Sequence, residues 1–183
     1  MNPSDTVRSF LGIRPCAEGS AALVDAQRQF AQRHRSDEIR WSPEENLHLT
    51  LIFLGDQRPE QLQLLIQALN QHLRHPPFTL VMEGLTPFPN SPARILAARV
   101  NMSPELAVLH RQVAAVVDEL GISRDTKSIK PHITLGRSRR NIFTARRPFH
   151  ATSQAAALTL FQSENAGDGV RYRALAEFVF RQQ

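Results

Sequence analysis

Two stretches of the sequence carry the same four-residue pattern, histidine, aliphatic, threonine, leucine: His48-Leu49-Thr50-Leu51 and His132-Ile133-Thr134-Leu135. Side chains alternate along an extended strand. Each stretch therefore sets an imidazole and a hydroxyl on one face and two aliphatic anchors on the other. Were the two strands neighbours, two imidazoles and two hydroxyls would surround one space. Histidine's ordinary pKa of about 6.5 lets a neutral ring take a proton from an attacking water while a protonated ring gives one to a departing oxygen. Threonine hydroxyls can donate to the non-bridging oxygens, whose charge grows during reaction. This is equipment for phosphodiester chemistry. A strained cyclic phosphate is its easiest target, and no metal or other cofactor is needed.

Chance has to be weighed against the pair. With seven His and nine Thr in 183 residues, one His-x-Thr triplet means little, and a third occurs at His150-Ala151-Thr152. Requiring an aliphatic middle residue and a following Leu lowers the expectation to about 0.02 copies, so two by accident is on the order of one in several thousand. His150 fails that test, because Ser153 follows its Thr. Either histidine alone would be read as an ordinary strand residue, and either threonine as a β-former; the matched pair argues for function. Arg137 lies five residues after His132, at the end of the same strand, where a guanidinium could hold a phosphate with two hydrogen bonds. It belongs to a basic stretch of Arg124, Lys127, Lys130, Arg137, Arg139, Arg140, Arg146 and Arg147, interrupted by the single acid Asp125. Such a stretch could track an RNA backbone, although a solvated face is the commoner meaning of a charge run. His34, His72, His75, His110 and His150 are assigned to the surface, and Cys16 has no evident role.

The elements that must position these residues follow from hydrophobic spacing. Strands are predicted over 7–13, 46–54, 78–83, 94–100 and 131–136, near 157–161, and over 174–180, with a Pro-rich turn over 87–92. Helices are predicted over 19–33, with Leu23, Ala26 and Phe30 buried, and over 59–73, with a stripe of Leu62, Leu65, Ile66, Leu69 and Leu73. The third runs from the cap Ser103 and first-turn Pro104 to Gly121, with Leu106, Leu109, Val113, Val116 and Leu120 as its stripe. Three helices so unevenly placed do not suit a doubly wound parallel sheet. The expectation is an α+β fold of mostly antiparallel strands, 1–183 forming one unit built from two related halves.

Composition bounds the rest. Apolar residues make up 42% and charged residues 21%, which excludes disordered and fibrous classes. The net charge of +5 is compatible with an anionic partner without demonstrating one. A single cysteine permits no intrachain disulfide or Cys-based metal site and fits a reducing compartment. Residues 1–14, broken by Asp5, Arg8 and Arg14, do not form a signal peptide, and no apolar run approaches the roughly 20 residues of a membrane span. A cytoplasmic monomer without membrane contact is expected.

At these motifs the chain resembles the two-histidine phosphoesterase superfamily, specifically the RNA 2′,3′-cyclic phosphodiesterases, also called 2′-5′ RNA ligase-like proteins. Arg8 to Ile13 is similar to the family's opening strand. Arg40-Trp41 through Asn46-Leu47-His48-Leu49-Thr50-Leu51 to Phe53-Leu54-Gly55 resembles its first motif, and Pro131 to Arg137 its second; Phe88-Pro89 and Leu160-Phe161-Gln162-Ser163 also fit. The resemblance implies a bilobal fold with pseudo-twofold related lobes, helices on the outside, and one motif from each lobe facing a central cleft. It implies His48 as acid and His132 as base, Thr50 and Thr134 as phosphate ligands, and Arg137 as a further contact. It also implies RNA or nucleotides with 2′,3′-cyclic phosphate ends as substrates, a 2′-phosphate product and, for some members, reversible 2′-5′ joining. Ile129 departs from the pattern, which often has an aromatic residue there, so no base-stacking ring is expected at that position.

Other functions stay open at this point. A non-catalytic RNA- or nucleotide-binding module could keep the fold, but binding alone does not need paired acid-base groups. Phosphodiesterases acting on other cyclic phosphates, ADP-ribose 1″,2″-cyclic phosphate among them, would share the mechanism. A zinc hydrolase is disfavoured because the motifs bring no carboxylate or thiolate to complete a ligand set.

Overall fold

The computed structural model describes residues 6–33, 38–126, 128–167 and 169–181. Three helices pack on a nine-stranded sheet in which, among the described residues, every strand pairing is antiparallel. In chain order the elements are β1 (Val7–Ile13), α1 (Ala17–Arg33), β2 (Ile39–Trp41), a 3₁₀ turn (Glu44–Asn46) and β3 (Leu49–Gln57). They continue with α2 (Pro59–His72), β4 (Phe78–Phe88), β5 (Ile95–Val100), α3 (Pro104–Glu119), β6 (His132–Ser138), β7 (Arg147–Ala155), β8 (Ala157–Ala166) and β9 (Gly169–Val179). The expected α+β class and antiparallel pairing are observed.

The strands form two blocks. One runs β7-β4-β5-β6, with β2 paired beyond β6; the other runs β3-β1-β8-β9. They meet where β3 pairs with β6 at Leu49 and Ile133, both fully buried. The two related halves expected along the chain are not sequential. β1, β3, β8 and β9 make one block and β2, β4, β5, β6 and β7 the other, so the chain crosses between them repeatedly and no single cut separates them. α1 packs on β6 and β7, whereas α2 and α3 pack on each other and on β9 and β3.

Local chemistry explains the helix limits. Ser103 accepts a hydrogen bond from the Leu106 amide, Pro104 opens α3 where its missing N–H costs nothing, and Gly121 beyond the end adopts φ +62°. The buried face of α3 is Leu106, Leu109, Val113, Ala114 and Val117; Val116 and Leu120 from the expected stripe are only half-buried. Two strands escaped the sequence pattern. β2 has only three residues, and β7 is an edge strand whose inward positions are Phe149, Ala151, Ser153 and Ala155, too small and mixed to read as apolar alternation. The predicted turn over 87–92 is partly strand, since Pro87 and Phe88 pair with Leu96 and Ile95.

Candidate active site

The single pairing of Leu49 with Ile133 brings the two motifs together. Extending that antiparallel register one residue each way sets 48 against 134 and 50 against 132, so each histidine lies beside the other motif's threonine. Leu47, Leu49 and Leu51 are buried, and so are Ile133 and Leu135, while His48, Thr50, His132 and Thr134 are half-buried on the opposite face. All four line one cleft of about 1110 Å³, together with Arg137. Gly12 lets β1 approach the first motif closely: a Cβ there would lie 2.7 Å from the Leu49 carbonyl and 3.6 Å from the His48 ring.

Strict alternation would turn residue 137 away from His132, since they are an odd number of positions apart. A β-bulge reverses this. Between β5 and β6 the register passes from Leu96–Gly136 to Ala97–Thr134, leaving Leu135 as the extra residue. Leu135 and Gly136 are both buried and Arg137 emerges on the cleft face. The bulged Leu135 carbonyl accepts from the Ser42 amide (2.8 Å) and from Nε2 of the buried Gln27 on α1 (2.9 Å). The first motif carries the same device. The register between β1 and β3 passes from Leu11–Ile52 to Gly12–Thr50, Leu51 is the extra residue, and Phe53 emerges in the cleft.

Both rings are oriented alike. His48 Nδ1 donates to the Asn46 carbonyl and His132 Nδ1 to the Lys130 carbonyl, each at 2.7 Å. A carbonyl can only accept, so the proton sits on Nδ1 and Nε2 is left for chemistry. His48 Nε2 lies 3.0 Å from the Thr50 hydroxyl. Around His48 stand Phe10, with ring centroids 4.7 Å apart, Tyr172, edge-on at 4.8 Å, and Phe161 at 5.7 Å; Arg14 lies over the Phe161 ring at 4.9 Å. His132 has Phe88 stacked on it at 3.7 Å. Burial, opposed by the Asn46 carbonyl and reinforced by Arg14, His132 and Arg137, lowers the His48 pKa to about 4. His132 is also lowered, chiefly by burial, with the Lys130 carbonyl opposing and Arg137 adding to it.

Several contributors were not singled out from the sequence. Asn46 not only accepts from His48: its side chain donates to the Val170 carbonyl (2.7 Å) and accepts from the Tyr172 amide (3.2 Å), which docks β9 against the motif. Its place two residues before His48, matching Lys130 before His132, is the one signal that could have found it. Nothing in the sequence points to Tyr172 or Arg14.

The basic stretch does not form one track. Of its described members only Arg137 lines the cleft. Arg124 makes a two-pronged ion pair with Asp118, Arg140 pairs with Glu38, and Arg147 lies over the Phe30 ring. The other cleft arginines, Arg8, Arg40 and Arg171, come from β1, β2 and β9. His75 is not a surface residue: it is 4% exposed, with its nitrogens 2.8 and 3.0 Å from the Pro76 and Glu105 carbonyls. His110 is half-buried, His72 and His150 are exposed, and His34 and Lys127 lie outside the described residues. Ile129 packs against the core and is not part of the cleft wall. Among the described residues no three His, Cys, Asp or Glu side chains gather as a metal site, and no helix is long and apolar enough to cross a membrane.

Known proteins resemble this chain in part of the sequence and, more widely, in fold. Residues 13–97, which contain the first motif, match the family described as LigT like Phosphoesterase. An RNA 2′,3′-cyclic phosphodiesterase of Archaeoglobus fulgidus is 39% identical over 98 residues, 52% of this chain and 54% of that protein. Another, from Geobacillus stearothermophilus, is 36% identical over 99 residues, 53% of this chain and 32% of that protein. The matched stretch thus spans about half the length of these curated relatives, or less. The fold likeness reaches further. A crystal structure of TT0787 of Thermus thermophilus superposes with TM-score 0.84 and 28% identity, covering 95% of this chain and 98% of that one. Escherichia coli LigT complexed with 3′-AMP gives TM-score 0.80 and 25% identity over 97% and 99%. By sequence around the first histidine motif, and by fold through both, this chain is similar to the LigT-like phosphoesterases.

Proposed function

We propose that the chain hydrolyses 2′,3′-cyclic phosphate ends of RNA to 2′-phosphates, using His48 and His132 as an acid-base pair without a metal. The observation that carries this reading is the pair of imidazoles on adjoining antiparallel strands. Each is held through Nδ1 by a main-chain carbonyl, and both line one cleft with two threonines and an arginine. The names of the curated relatives support the substrate class.

A water attacks phosphorus in line with the bond to the ribose 3′ oxygen, and its proton passes to the neutral Nε2 of one ring. The P–O3′ bond breaks and the 3′ oxygen takes a proton from the other, protonated ring, leaving a 2′-phosphate and a free 3′ hydroxyl. Thr50, Thr134 and Arg137 donate to the non-bridging oxygens as their charge grows. A 5′ hydroxyl of a second RNA end, entering where water enters, gives a 2′-5′ linkage by the same two transfers, and reversal regenerates the cyclic end. Burial lowers the His48 pKa to about 4, and on that ground we take His48 as the neutral acceptor and His132 as the donor. This reverses the allocation implied by the family resemblance. In this reading the chain acts as a cytosolic monomer.

The test is turnover of 2′,3′-cyclic nucleotides and of an RNA with a cyclic phosphate end, with and without chelator. Chelator-insensitive hydrolysis is expected, lowered roughly 10²–10⁴-fold in His48→Ala and in His132→Ala. An activated ester whose leaving group needs no proton should restore more rate to His132→Ala than to His48→Ala; the opposite pattern exchanges the two roles. RNA binding without turnover would show a binding module instead, and a strict metal requirement would remove the two-histidine mechanism.

A further inference from the structure

We infer that Asn46 is a positioning residue for His48: its side chain ties the 3₁₀ turn to β9 and so fixes the main-chain carbonyl that holds the ring. The inference rests on the phosphodiesterase reading. That mechanism needs His48 with its proton on Nδ1 and a bare Nε2 toward phosphorus. The tautomer is set by one bond, from Nδ1 to the Asn46 carbonyl at 2.7 Å. Whatever holds this carbonyl holds the proton acceptor.

The sheet does not hold it. Asn46 ends the 3₁₀ turn Glu44–Asn46, and the ladder between β1 and β3 begins only at Leu49. Two main-chain bonds close the turn, from the Asn46 amide to the Pro43 carbonyl (2.9 Å) and from the Leu47 amide to the Glu44 carbonyl (3.0 Å). Bonds of this kind have poorer geometry than those of an α-helix. The Asn46 side chain adds an attachment to a segment 124 residues away: Nδ2 donates to the Val170 carbonyl, and Oδ1 accepts from the Tyr172 amide.

These two bonds have the form of strand pairing. β9 ends the sheet, with β8 on one side. Donating to the carbonyl of one residue and accepting from the amide two residues on is what a parallel neighbouring strand would do at Arg171. One amide group stands in for that strand, because it carries a donor and an acceptor side by side. A carboxylate lacks the donor. Lys130, two residues before His132, has an ammonium that cannot accept, so the second motif cannot make the same tie. The tie also places Tyr172: the residue whose amide meets Asn46 sets its ring edge-on to His48, with centroids 4.8 Å apart. One side chain thus governs both the carbonyl at Nδ1 and the ring at the imidazole's flank.

The test compares the whole chain with Asn46→Ala, by steady-state kinetics on 2′,3′-cyclic AMP and by ring-nitrogen NMR at about pH 8, where both histidines are neutral. Positioning predicts a kcat lowered roughly tenfold, part of the 10²–10⁴-fold that a placed proton acceptor supplies, with KM changed far less. The His48 spectrum should pass from the Nδ1-protonated form to a mixture of tautomers, while His132 keeps its own and serves as the internal control. An unchanged kcat, or a loss of kcat with the His48 tautomer intact, overturns the inference and leaves the phosphodiesterase standing. Should Asn46→Ala not fold, Asn46→Asp decides, since it keeps the acceptor for Tyr172 and loses only the donor to Val170. A mixed His48 tautomer there upholds the tie, and an unaltered one removes it. If the unaltered chain shows no turnover, the phosphodiesterase reading falls by itself, and the tautomer of His48 still decides whether Asn46 holds the ring.

Discussion

The segments around His48 and His132 share a backbone plan and differ in what surrounds the ring. Both place Nδ1 on the carbonyl two residues upstream, a threonine two residues downstream, and a bulged leucine before the outward fifth position. His48, however, is enclosed by Phe10, Phe161 and Tyr172 and touches its own threonine, whereas His132 has a single phenyl ring, Phe88, stacked against it. The same fold device in two surroundings gives two unequally enclosed rings, which the proposed mechanism would use as one acceptor and one donor.

The comparison breaks first at the threonines. Removing a hydroxyl that donates to a developing negative charge costs on the order of 10²-fold in kcat. Thr50→Val should lose more than Thr134→Val, because Thr50 also contacts His48 Nε2. Equal losses, with no change in the pH profile of Thr50→Val, would show that this contact is idle. A smaller effect is expected at Gln27, which braces the second bulge through the Leu135 carbonyl from outside the cleft. Gln27→Leu should destabilise the fold by about 1–3 kcal/mol in denaturant unfolding. It should also weaken phosphate binding through Arg137; unfolding and binding both unchanged would mean the bulge holds without this brace.

The finest distinction is in the titration of the rings, read by NMR. His48 should titrate near pH 4, and His132 below its ordinary value. Inorganic phosphate bound between them should raise both, since an anion favours the protonated ring. The pH profile of kcat/KM, which reports the free protein, should therefore peak below about pH 6.5, with that of kcat displaced upward. Because both rings bind protons less readily folded than unfolded, their part in stability is whole above about pH 6.5 and fades as pH falls through the folded values. A His48 that titrates above His132 would restore the acid and base roles implied by the family resemblance.

Much of this protein was legible before folding. Alternation in a strand is a local rule, so the shared faces of His48 with Thr50 and His132 with Thr134 followed from four residues each. The three helices followed from apolar spacing and from local start and stop signals such as Ser103, Pro104 and Gly121. β7 and β2 did not, because an edge strand of small residues and a three-residue strand carry little periodic signal.

What the sequence by itself determined was chemistry that repeats at short range: two motifs, their faces and the elements around them. Tertiary structure decided everything that depends on a partner strand. The bulges at Leu51 and Leu135 exist only because β1 and β5 pair with one residue fewer, and they alone turn Phe53 and Arg137 into the cleft. The same holds for the enclosure of His48 by rings from β1, β8 and β9, for the burial of His75, and for the dispersal of the basic stretch. Register and proximity between distant segments are set by packing of the whole chain, and no local pattern encodes them.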